Sequence, residues 1–340
     1  MNRVFEQRRL TALVIWCVSG FALSQSLFAS LGIVDTVKKF DGAPFEPSGV
    51  VQLAAGLVLA IGDESEYPLD FIDFARNDDP VVTRLRLSVK LNDLEGLTTD
   101  SAGYIYAITS HSVNRDGERK SHREKLARFK IVDDRIDEIR VIKDLKQHIP
   151  LSADLHESFT KKVKVDTTRV DGFNIEGLAW YKTSGSLLIG LRSPLDSSNN
   201  ANVLSLSNPD AAFAGSSPEI RKMATVDLQG NGIRSMEYDE LFGGFLILAG
   251  PTGDRGEFAL WLWKPGTEYL RKLVAPKFDR LLKPEGICRI ELSGRPHLLI
   301  VSDDGETDKA FYKKGSNGKE SDDSCPGSYL ILDYSGISVQ

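Results

Sequence analysis

Three glutamates, Glu95, Glu176 and Glu285, each stand directly before a glycine and then a leucine or isoleucine, in the settings LEGLT, IEGLA and PEGIC. Asp63, Asp303, Arg192 and Arg234 occupy related positions in the same repeating pattern, so a fold that stacks the copies would bring all seven together. Three kinds of chemistry are open to such a group. Glu95, Glu176, Glu285 and Asp303 could hold a calcium-like hard cation through oxygen ligands. Arg192 and Arg234 could fork onto a phosphate or carboxylate, with Ser48 and Ser110 as further ligand contacts and His111 or Asp63 carrying protons. Alternatively the arginines pair with the glutamates and tie segments together, because like charges in a partly dry site must be paired, protonated or bound to a cation.

The elements that must position these residues can be read from the repeat. Five units align, starting at Ser48-Gly49-Val50, Glu95-Gly96-Leu97, Glu176-Gly177-Leu178, Arg234-Ser235-Met236 and Glu285-Gly286-Ile287. Eight to ten residues later comes Gly56, Gly103, Gly185, Gly244 or Gly294, then a second apolar run: LVLAI, YIYAI, SLLIG, FLILA and HLLIV. Runs that are nearly all apolar are strands buried on both faces. A third strand follows in every unit, and a fourth in every unit but the last. IVDTVKKF, ahead of the first unit, is a strand without a unit of its own, so joining it to the last unit closes a ring.

This is an all-β chain folded as a β-propeller, with five blades, or six if residues 146–173 hold a degenerate one. Inner-strand glycines let backbones converge on a narrow channel, and the residue before each projects at its mouth. The long connections, 112–124, 146–173, 194–201 and 305–327, all fall on that same face, as insertions at a binding face do. Within them, 113–125 reads as a solvated charged loop, and 150–163 as a short amphipathic helix over the mouth or flat on the blades.

Residues 1–30 have the order of a secretory signal: Arg3, Arg8 and Arg9, an apolar run from Leu10 to Leu23, then small residues. The expectation is an exported protein, periplasmic or secreted, with 31–340 as one domain and no stable membrane anchor. Removing the leader takes away three Arg and one Glu and moves the formal charge from −6 to −8, which argues against nucleic acid as a partner. In an oxidising compartment Cys288 and Cys325, both in the fifth unit, are expected to bridge. No Gly-x-Ser-x-Gly elbow, His-Glu-x-x-His helix, phosphate-binding loop or Cys-x-x-Cys pair occurs.

The segments IEGLAWYKTSGSLLIGLRSP, RSMEYDELFGGFLILAGPTGD and PEGICRIELSG resemble an uncharacterised family of exported bacterial proteins known as DUF3616. The likeness runs over nearly all the chain after the leader. More remotely the units are similar to the esterase-like phytase propellers, and the architecture to gluconolactonase and paraoxonase propellers. That resemblance implies calcium-assisted hydrolysis of phosphoesters or lactones at the channel mouth. Two features depart from it: no Asn occupies an aligned mouth position, and Arg234 stands where the other units have a glutamate or serine. The sequence therefore leaves two functional classes: an exported propeller binding a small-molecule or anionic substrate, hydrolysing it if calcium is held, and a non-catalytic scaffold for protein or envelope polymer.

Overall fold

Each repeat start opens the innermost strand of an antiparallel four-stranded blade. The computed structural model describes residues 36–340 apart from 63–66, 76–78, 115, 134, 144, 150–171, 254 and 305–325. The leader, Asp63, Cys325 and the helix expected at 150–163 lie outside the described residues. Blade one is β2 (Pro47–Ala54), β3 (Leu57–Gly62), β4 (Leu69–Asp73) and β5 (Val81–Leu85). Blade two is β6 (Leu94–Thr99), β7 (Ile105–Thr109), β8 (Lys125–Val132) and β9 (Arg135–Lys143). Blade three is β10 (Asn174–Tyr181), β11 (Ser186–Ser193), β12 (Ala201–Leu206) and β13 (Ile220–Val226). Blade four is β14 (Gly232–Asp239), β15 (Gly244–Gly250), β16 (Ala259–Trp263) and β17 (Leu270–Val274). Blade five is β18 (Pro284–Leu292), β19 (Arg295–Ser302) and β20 (Ser328–Asp333), completed by the N-terminal β1 (Lys38–Lys39).

The ring is closed as the repeat requires, through a shorter strand than expected. Lys38 pairs with Tyr329 and Lys39 with Ser328, and the buried Phe40 ring lies 4.7 Å from that of Tyr329. A second closure was not legible in the sequence: β21 (Ser338–Val339) adds to the outer edge of β17, giving blade four a fifth strand. Both devices cover strand edges that would otherwise offer unpaired N–H and C=O groups.

Five apolar clusters, one between each pair of adjacent blades, form the core. Alternation along a strand divides its side chains between two neighbours: Phe245, Ile247 and Ala249 pack toward blade three, Leu246 and Leu248 toward blade five. Both faces are dry, which is why the second strands are apolar throughout.

The residue before the glycine owes its orientation to a register shift. In β10, Ile175 pairs with Leu191 and Gly177 with Gly190, leaving Glu176 as an extra, unpaired residue. The same irregularity isolates Ser48, Glu95, Arg234 and Glu285 in the other four inner strands. A bulge re-aims its residue out of the ladder, so five equivalent bulges direct five side chains to one end of the channel. The glycine that follows is needed for close approach. A Cβ on Gly96 would lie 2.7 Å from Leu178 Cβ of the next blade.

The expected Cys288–Cys325 bridge is not formed. Cys288 is a free thiol, fully buried between blades one and five. Its register partner Leu299 faces Ile331, so its surroundings are apolar strand residues of blade five.

Candidate functional site

Four of the predicted residues meet at the mouth, joining blades three, four and five. Glu176, 2% exposed, takes Arg192 Nη1 on Oε1 at 2.9 Å and faces Arg234 Nε with Oε2 at 2.9 Å. Arg234 then reaches on to Glu285 Oε1. Arg192 also donates from Nε to the carbonyl of Pro251 at 3.2 Å and from Nη2 to that of Gly253 at 2.6 Å. Glu95 is close enough to Arg234 to act on it electrostatically.

Burial and charge oppose each other in this array. Burial pushes the Glu176 carboxyl above its usual range, against the pull of Arg234 and Arg192 and with the help of Glu285. Burial alone would weaken the Arg234 charge, but Glu176, Glu285 and Glu95 outweigh it and hold the guanidinium firmly protonated.

Two contributors were missed. Asn174, two residues before Glu176 on β10, donates Nδ2–H to Glu176 Oε1 at 3.0 Å. It lies one step outside the aligned mouth positions, where the only available signal was its period-two relation to Glu176. The Phe258 ring lies 5.7 Å from the Arg234 guanidinium, and nothing in the repeat marks it.

The calcium expectation does not fit these residues. The Glu176 oxygens are engaged by Arg192, Asn174 and Arg234, and Glu285 is engaged by Arg234. Among the described residues no group of three or more His, Cys, Asp or Glu is arranged to hold a metal ion. Asp303 faces Lys283 instead, with 3.9 Å between Oδ2 and Nζ. A guanidinium sits where the hypothesis needs a cation. For the same reason Arg192 and Arg234 are committed to protein acceptors rather than forked toward a phosphate.

The other predicted residues belong to separate networks. Ser48 Oγ donates to the Glu46 carbonyl at 3.3 Å. Ser110 Oγ hydrogen-bonds Asp93 Oδ2, whose other oxygen takes Arg123 Nη2 at 2.6 Å. His111, expected as a proton carrier, has no exposed surface and a left-handed backbone, φ +57°. Its Nδ1 is 2.7 Å from the Thr109 carbonyl, and its own carbonyl accepts from the buried Lys146 Nζ at 2.9 Å. Burial lowers the imidazole pKa to about 4, with Lys146 adding to the effect. A neutral, buried imidazole anchors the blade-two loops. Asp93, Arg123 and Lys146 were not anticipated, because loop residues outside the repeat carry no alignment signal.

A family model described as "Protein of unknown function (DUF3616)" matches residues 151–314, just under half of the chain. The match begins before blade three and ends beyond β19, a narrower span than the repeats suggested. No curated protein matches the chain. Among solved structures it is similar to a PQQ-bound aldose sugar dehydrogenase from Streptomyces coelicolor (12% identity, 87% of this chain, 98% of that one, TM-score 0.43). It is also similar to a virginiamycin B lyase from Staphylococcus aureus (11%, 87% and 99%, TM-score 0.38) and to a Bombyx mori GH32 β-fructofuranosidase (12%, 90% and 65%, TM-score 0.45). Identities this low leave each chemistry with its own protein.

Proposed function

We propose that this propeller binds a small polar ligand at its loop-bearing mouth without a resident cation. The observation that carries the reading is the layering of the charge array. Glu176 and Arg234 are sealed at 2% and 5% exposure, while Glu285 and Arg192 above them each retain 12%. Glu285 and Arg192 thus keep part of their polar surface open while their protein partners hold them in place, so a ligand that adds to those contacts needs no rearrangement. An array of near-balanced charge suits a ligand that offers both donors and acceptors, such as a polyol or zwitterion, over a multiply charged phosphate. Export, on the strength of residues 1–30, is part of the proposal, and N-terminal sequencing of the mature protein tests it.

An apolar docking scaffold has less support. The exposed large hydrophobic residues, among them Val81, Val132, Leu241 and Leu282, come from three different blades and the loop before blade five. Scattered single residues of this kind are ordinary surface. Thermal-shift measurements with polyols, amino acids, carboxylates and phosphates, each with calcium and with chelator, test the proposal. A polyol or amino acid should raise the melting temperature equally in both conditions, and Glu285→Gln should abolish the rise. Stabilisation that requires calcium, or none by any of these compounds, would overturn it.

A further inference from the structure

The fourth residue after each bulge forms a second ring at the opposite end of the channel: Gln52, Thr99, Trp180, Tyr238 and Arg289. All five line one cavity of about 310 Å³, with Glu237 beside them. Four residues of strand put this ring about 13 Å below the mouth array. The two rings differ in kind. The upper one repeats glutamate, whereas the lower one carries an amide, a hydroxyl, an indole, a phenol and a guanidinium, one from each blade. Such a set has no symmetry to serve and lines a volume at the low end of small-molecule sites.

Neighbouring backbone fixes part of this lining. Gln52 Oε1 accepts from Glu291 N, and Glu237 Oε1 from Arg289 N at 3.4 Å. Thr98 Oγ1, also in the wall, accepts from Trp180 N at 3.0 Å. The Gln52 amide is thereby turned so that its NH₂ remains for another acceptor. At the rim Lys182 and Glu240 offset each other, 4.0 Å apart. Asp100 is saturated by the N–H groups of Ala102 and Tyr104 and by the Tyr106 hydroxyl. The Arg289 guanidinium makes no ion pair within 4.0 Å among the described residues, and Glu237 of the same wall interacts with it only at longer range.

We propose that this cavity is a binding site for a monosaccharide-sized hydroxy acid, such as a sugar acid. The Arg289 guanidinium receives the carboxylate as a two-pronged donor. Thr98, Thr99 and the Gln52 amide exchange hydrogen bonds with hydroxyls, and Trp180 and Tyr238 present aromatic surface to the ligand's C–H groups. Glu237 lies where it would oppose an anion if ionised. Burial raises its carboxyl well above the usual range, against the pull of the Arg289 backbone N–H and with Asp239 adding to the rise, which weakens that opposition.

Titration of the purified protein with glucuronate, followed by calorimetry and by intrinsic tryptophan fluorescence, tests the site. Glucuronate should bind saturably, with glucose, which lacks the carboxylate, weaker by about tenfold or more. Arg289→Gln should erase that difference, while Glu237→Gln should keep affinity within about threefold. Equal binding of glucose and glucuronate, no saturable binding of glucuronate, or undiminished selectivity in a folded Arg289→Gln protein would each overturn the proposal. The wild-type comparison of the two sugars needs no variant, so it decides even if Arg289→Gln does not fold.

Discussion

The two ends of the channel are built from the same five strands, four residues apart, yet they handle charge in opposite ways. At the mouth every described charge of the axial array meets a counter-charge, and Glu176 is held between two guanidiniums. At the far end Arg289 has no ion pair among the described residues, and a cavity opens beside it. Removing charges from water is costly unless they are paired, so a sealed array is stable only as a set. An unpaired cation is tolerated where water or a ligand still reaches it. The mouth therefore ties three blades together, and the far end is free to vary from blade to blade.

Glu176→Gln should break the comparison most severely, because it leaves Arg192 and Arg234 facing a neutral amide in a buried site. A loss of about 3–5 kcal/mol in urea unfolding is expected, the same with calcium as with chelator. A loss seen only when calcium is present would restore the cation reading.

Acid should act on the mouth loops through His111. Its folded pKa of about 4 lies below the ordinary 6.5, so the unfolded chain binds more protons between those values. Stability then falls as pH drops from 6.5 to 4, by roughly 3 kcal/mol from this residue, and levels off below. Asp70 works the other way: burial, partly offset by Arg84, raises it to about 6, so stability is gained as pH falls from 6 toward 3.8. Because the two oppose each other, the variants are more informative than the wild type. His111→Asn, which tolerates the left-handed backbone, should gain on the wild type in melting temperature between pH 7 and 4, and Asp70→Asn should lose. Parallel curves would show that neither group is sealed.

Gly96→Ala tests the close approach that lets the inner strands converge. The added methyl would press on Leu178 and Ile108, at 2.7 and 2.9 Å, and should cost about 1–3 kcal/mol in thermal unfolding. The smallest effect is expected at the other end. Arg289→Gln should change stability by no more than about 0.5 kcal/mol, since it breaks no ion pair among the described residues. A large loss there would make the lower ring structural too, and the contrast between the two ends would vanish.

The blades were legible because their signals are local. Two-sided apolar runs such as LVLAI and FLILA, glycine after Glu95, Glu176 and Glu285, and the left-handed turn glycines each act within a few residues. The turn residue is displaced only in blade four, where Gly243 at φ +61° replaces the aligned Gly244. The site was partly legible. The repeat correctly grouped Glu176, Arg192, Arg234 and Glu285, but it left pairing, cation and anion as alternatives. It set His111 at the mouth without revealing that the loops bury it, and it gave no sign of the lower ring, whose members share a position and no chemistry.

By itself, then, the sequence determined the four-stranded repeat, the order of its strands and the identity of the residue at each bulge, because those depend on periodicity and turn chemistry a few residues long, while the count stayed at five or six blades and β21 went unseen. Only the tertiary structure decided which charges touch. Arg234 meets Glu176 from 58 positions away and Glu285 from 51, contacts that exist only once the ring has closed and the bulges have turned those side chains to one axis. Whether a carboxylate binds a cation, a ligand or an arginine is settled at ångström distances between blades, and no spacing along the chain encodes them.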